Sequence, residues 1–125
     1  DCGYTTAVAE FTEKLSDLGL PAGLIIKGVN AVNKLHLGFD FYKLRPIDSV
    51  RKAKIPMLFV HGTGDTFIPH SMCQEVYEAC GSENKEILYI EGADHAQSFP
   101  TDKETYSKKL DEMIDKYVLE VTTEA

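Results

Sequence analysis

The chain has 125 residues, 43% of them hydrophobic and 26% charged, with a formal net charge of −7. That length allows one small domain with a core, and no stretch is apolar for long enough to span a bilayer. The acidic balance excludes the basic stripe that nucleic acid needs and suits small neutral or cationic molecules.

Taken in order, Thr5 or Thr6 can cap a first helix, with Val8, Phe11, Leu15 and Leu18 at helical spacing along one stripe. Gly19 stops it, and Pro21 is well placed to open a second helix. The apolar positions of that helix are Leu24, Ile25, Val29, Val32 and Leu35, with Gly28 permitting a close approach and Gly38 ending it. An aromatic, irregular stretch follows, from Phe39 to Leu44. Pro46 starts a short helix whose first turn carries Asp48, favoured there by the helix dipole, while Arg51, Lys52 and Lys54 crowd its end.

Ile55 to Pro69 carries the strongest signal. Pro56 marks a strand entry, and Met57-Leu58-Phe59-Val60 is apolar without alternation, as in a parallel strand covered on both faces. His61-Gly62-Thr63-Gly64 then supplies two glycines for a tight turn, and Asp65 follows. Ser71 and Gln74 suggest a capping box for the next helix, with Met72, Val76 and Cys80 as its buried stripe. Glu86 to Ile90 reads as a second strand, and Glu91-Gly92-Ala93-Asp94-His95 leaves its end. The helix between the strands makes them parallel, so Asp65 and His95 both open on the carboxyl edge of the sheet. Thr101 and Glu104 suggest another capping box, and the last helix repeats Tyr106, Leu110, Met113, Ile114, Tyr117 and Val118. The domain is expected over residues 1–121, with a polar, frayed tail over 122–125.

An aspartate and a histidine on one edge are the orienter and general base of a nucleophile–His–acid triad. HGTGDTFIP followed by EGADHAQS resembles the C-terminal part of an α/β-hydrolase, where the acid follows the penultimate strand and the histidine the last. DCGYTT at the start also resembles the segment after the preceding strand in bacterial serine hydrolases of this superfamily. The resemblance implies an α/β fold with parallel strands, crossover helices and a sheet incomplete in this chain. It implies a serine-type acyl hydrolase, esterase- or peptidase-like, acting on a small-molecule ester or amide, with Asp65 and His95 catalytic. It also implies that residues 19–45 line or cover the acyl pocket, so that Phe39, Phe41 and Tyr42 contact substrate; packing under a loop is the competing role for these three.

No G-x-S-x-G nucleophile elbow occurs in the sequence. The nucleophile half is therefore expected to be absent and the chain alone inactive. Two strands do not make a self-sufficient sheet, so the expected partner is the missing N-terminal half of the same enzyme or a second copy pairing at the sheet edge. The alternative function is a non-catalytic half-fold serving as an interaction or assembly module.

Other groups compete for a role. Asp94 adjoins His95, but neighbouring side chains diverge, which suits a residue that holds the loop backbone. His61 suits a structural hydrogen bond beneath the loop, His70 an exposed helix start and His36 the surface. Ser98 lacks the strained elbow that presents a nucleophilic hydroxyl. His61, Asp65, His70 and His95 are N/O ligands suited to zinc, yet their spacing matches no compact metal motif, and neither a phosphate loop nor a dinucleotide fingerprint is present. No metal or cofactor is expected. Cys73 and Cys80 stand about two turns, roughly 10 Å, apart on one helix, too far for a disulfide. With Cys2 the count is odd, which suits a reducing compartment, such as the cytoplasm, or a protein with an unpaired thiol, although a targeting segment upstream of Asp1 would already be absent.

Overall fold

In a computed structural model, which describes residues 1–119, two parallel strands and six helices form a mixed α/β arrangement. Strands β1 (Met57–Gly62) and β2 (Lys85–Ile90) pair in register from Met57 opposite Lys85 to Gly62 opposite Ile90. Helix α4 (His70–Ala79) connects them, as a parallel pair requires. Ahead of the sheet lie α1 (Ala7–Asp17), α2 (Ala22–His36), a 3-10 turn (Phe41–Lys43) and α3 (Pro46–Val50). After it come α5 (Ser98–Thr101), α6 (Lys103–Ile114) and a π-helical turn (Asp115–Leu119). The frayed tail expected over 122–125 lies outside the described residues. No helix among the described residues is long and apolar enough to cross a membrane.

The sheet's core is concentrated at its carboxyl end. Val60, Ile90 and Ala93 form a buried cluster, with Leu58, Leu88 and Tyr106 packed against it. Fully burying a side chain such as Val60 or Ile90 contributes about 1.5–3 kcal/mol, so this end is the firmly anchored one. The expectation of strands covered on both faces fails at the other end, where Met57, Leu58 and Phe59 are only half-buried. The Cys2 N–H donates to the Val60 carbonyl at 3.0 Å, so the start of the chain runs beside β1.

A second cluster, Ala7, Ala22, Ile26 and Phe41, joins α1, α2 and the 3-10 turn. Here the apolar stripes expected from spacing are only partly the buried ones: Val8 and Leu15 of α1 pack against this cluster. In α2 the inward face is Ala22, Ile26 and Asn30, while Leu24 and Leu35 stand 73% and 80% exposed. Asn30 explains the choice, because its Oδ1 accepts the Phe41 N–H at 2.7 Å and turns that face inward. In α1 the buried residues are Ala7 and Glu10, while Phe11 and Leu18 are exposed. Gly28 serves no close approach, since a side chain there would meet nothing.

The caps also correct two expectations. Thr6 caps α1 by accepting from the Ala9 N–H at 3.0 Å. Ser71 and Gln74 form no capping box: Pro69 is the N-cap, and Gln74 instead bonds Glu78 and the Tyr89 hydroxyl at 2.7 and 2.9 Å. Thr101 belongs to the end of α5, and Asp102 caps α6 by accepting from Thr105 N–H at 3.0 Å and its hydroxyl at 2.7 Å. An aspartate outcompetes the neighbouring threonine because its ionised oxygens are the stronger acceptors.

Candidate active site

The turns that leave β1 and β2 are fastened to each other before either side chain of interest is reached. Thr63 N–H donates to the Ile90 carbonyl at 2.9 Å, and Gly64 N–H to the Ala93 carbonyl at 3.0 Å. In return the Gly92 N–H donates to Thr63 Oγ1 at 2.8 Å. The two glycines make this approach possible. A Cβ on Gly62 would overlap the Ala93 carbonyl, and one on Gly64 would lie 2.9 Å from the Gly92 carbonyl oxygen. The HGTG stretch is thus a clasp between two loops.

Beyond the clasp the backbone folds around the Asp65 carboxylate. Oδ1 accepts from Phe67 N–H at 2.9 Å and from Ile68 N–H at 2.8 Å. Oδ2 faces His95 Nδ1 at 3.0 Å and His61 Nε2 at 3.2 Å. His61 is 0% exposed, and its Nε2 also lies 2.9 Å from the Ile68 carbonyl oxygen. An ionised carboxylate and a carbonyl only accept, so each ring carries its proton on the nitrogen that faces them. Burial alone would raise the Asp65 pKa. The hydrogen bonds from Ile68 N–H, His95 and Phe67 N–H, with the His95 charge, outweigh it and hold the pKa below the ordinary 3.8.

His95 is the accessible member, its side chain 36% exposed. With Nδ1 committed to Asp65, Nε2 is the nitrogen left for proton transfer. The Phe67 ring lies tilted against the imidazole, centroids 4.9 Å apart. Asp94 accepts the His95 N–H at 2.7 Å, which fixes the local backbone, and Ala96 directly after takes a left-handed φ of 56°.

Other polar candidates lie elsewhere or are engaged. Ser98 is buried and donates to Asp1 Oδ1 at 2.9 Å. His70 opens α4 and meets the Tyr89 ring edge-on, and His36 is exposed in the last turn of α2. Among the described residues, no group of three or more His, Cys, Asp or Glu side chains is arranged to hold a metal ion. Cys73 and Cys80 are buried, and burial pushes the Cys73 thiol up to about 11, which keeps it a thiol at neutral pH.

A cavity of about 370 Å³ opens beside this site between α1, the 3-10 turn and the Asp65 loop. Phe41 lines it with Phe11, Phe67 and Ile68, whereas Phe39 and Tyr42 are exposed and take no part in its wall. Sequence reasoning missed Glu10 in that wall. No apolar spacing signalled it, because Glu10 lies off the Val8, Phe11, Leu15 and Leu18 stripe and shares with Ala7 the face that the fold buries. It also missed Lys14, whose Nζ donates to the Thr66 carbonyl at 2.7 Å and ties α1 to the loop.

Residues 44–102 match the family model described as serine aminopeptidase, S33, which supports the α/β-hydrolase superfamily. The matched stretch contains both strands, the clasp, Asp65 and His95. Over 117 residues, 92% of this chain, the sequence is 27% identical to the uncharacterized protein YqkD of Bacillus subtilis strain 168. The chain spans 38% of that protein's length. The two-stranded parallel sheet with its helices is consistent with part of an α/β-hydrolase fold.

Proposed function

We propose that the chain supplies the acid and the base of a serine-type acyl hydrolase acting on esters or amides. The observation that carries this reading is the 3.0 Å contact between Asp65 Oδ2 and His95 Nδ1, on two loops clasped at the carboxyl edge of a parallel sheet. Asp65 holds the imidazole in the tautomer that leaves Nε2 free of its proton, and stabilises the imidazolium during turnover. His95 Nε2 takes the proton from a serine hydroxyl as that oxygen attacks the acyl carbon, then gives it to the leaving group. The serine comes from polypeptide outside this sequence, because no G-x-S-x-G segment occurs within it.

The competing reading, a non-catalytic assembly module, is favoured by one observation: the apolar residues Leu24, Val32 and Leu35 of α2 face outward. The two separate on labelling by a serine-directed fluorophosphonate. The chain alone stays unlabelled under both. A polypeptide that carries this sequence after a Gly-x-Ser-x-Gly segment is labelled at that serine under the hydrolase reading, and His95→Ala abolishes the labelling. Labelling that is unchanged in His95→Ala excludes His95 as the base.

A further inference from the structure

Glu10 is 6% exposed, and neither of its carboxyl oxygens has a hydrogen-bond partner. A buried polar group without a partner costs free energy, and two orphaned oxygens on one carboxyl are uncommon enough to require a reason. The residue lines the 370 Å³ cavity together with the aromatic rings of Tyr4, Phe11, Phe41 and Phe67, the aliphatic Ala7, Leu44 and Ile68, and Lys14. Phe67 is shared with the Asp65–His95 site, since its ring also packs against His95.

We propose that this cavity is a subsite for a guanidinium or amidinium group of the substrate, with Glu10 as its carboxylate partner. As a substrate subsite it rests on the hydrolase reading; as a cation site it stands on the cavity itself. Two unpartnered oxygens match the paired N–H donors of a planar fork, a fit that a single-point ammonium does not make. The aromatic walls suit the same ligand, because delocalised planar cations stack on ring faces. Both Glu10 oxygens are closed to solvent, so binding requires the side chain to turn into the cavity it lines.

The charges around Glu10 are Lys14 and Glu13 on its own helix, and Asp65 and His95 across the cavity wall. Lys14 leaves Glu10 unpaired, being bonded to the Thr66 carbonyl and lying 5.5 Å from the Phe67 ring centroid. Burial raises the Glu10 pKa; the Lys14 charge opposes that shift, and smaller repulsion from Glu13 and Asp65 adds to it.

The test is ligand-observed NMR titration of the 125-residue chain near neutral pH with benzamidine, its neutral isostere benzamide, and benzylamine. Benzamidine should bind saturably, at least about tenfold tighter than benzamide, a gap of roughly 1.4 kcal/mol, with benzylamine in between. Glu10→Gln should bring benzamidine down to the benzamide level. Equal binding of benzamidine and benzamide, or no saturable binding, overturns the proposal even if the variant does not fold. So does a folded Glu10→Gln that keeps wild-type affinity, and benzylamine binding as tightly as benzamidine overturns the fork. Binding is read without turnover, so these outcomes leave the roles of Asp65 and His95 untouched, and loss of those roles leaves the cation site standing.

Discussion

Asp65 keeps its charge while shut away from water because four donors surround it, two from its own loop and two imidazoles. His61 is the least obvious of these. Its Nε2–H reaches both Asp65 and the Ile68 carbonyl, so it braces the loop from beneath while pointing Oδ2 at His95. Replacing His61 with Ala leaves that carbonyl short of a donor and should cost about 1–3 kcal/mol, read by urea denaturation. Asp65 has a depressed folded pKa, so its contribution to stability is full above the ordinary 3.8 and is lost as pH falls through the lower folded value. The stability gap between wild type and Asp65→Asn should therefore be flat at neutral pH and close below about pH 4, in melts taken across that range. Glu10 behaves in the opposite sense. Its folded pKa is raised above 4.5, so whatever it contributes is full below that value and is lost as pH rises through the folded pKa. Glu10→Gln should gain on wild type as pH climbs from 4 towards 7, measured by the same melts.

At the scale of elements, the decisive feature is the clasp between the two turns. Gly62→Ala would drive a methyl into the Ala93 carbonyl, and the loops would have to part. Thermal unfolding should register a loss of about 1–3 kcal/mol, as overpacking a tight contact does, with His95 displaced from Asp65. This part of the molecule was legible in the sequence. Four unbroken apolar residues followed by HGTGD, then a second strand and GADH, specify parallel strands with both polar turns at one end. The helices ahead of the sheet were less legible for a physical reason. Helical spacing gives the period of a stripe, but not which stripe is buried when apolar residues occupy more than one side. In α2 a single hydrogen bond from Phe41 N–H to Asn30 selects the polar-containing face, and nothing in the apolar pattern announces it. Glu10 was hidden in the same way, as a charged residue on a stripe that spacing alone assigns to solvent.

For the molecule as a whole, the anchored part lies around the carboxyl end of the sheet, and the outward face of α2 contributes little to it. Leu35→Gln should change stability by no more than about 0.5 kcal/mol, because that side chain is already 80% exposed. Ile26→Ala, on the buried face, should cost about 2–5 kcal/mol in the same denaturation assay. A reversal of that order would mean that α2 packs through its leucines after all. The hydrolase reading asks more of the molecule than stability: the clasped loops must deliver an oriented base. The most direct test is the turnover of a model ester by a polypeptide that joins this sequence to a preceding Gly-x-Ser-x-Gly segment, with and without Asp65→Asn. With the carboxylate replaced and the fold kept, kcat should fall by about 10⁴, as it does when a triad histidine loses its orienting acid. A variant that hydrolyses the ester within tenfold of the wild-type rate would contradict the assignment of Asp65 and, with it, the proposed chemistry.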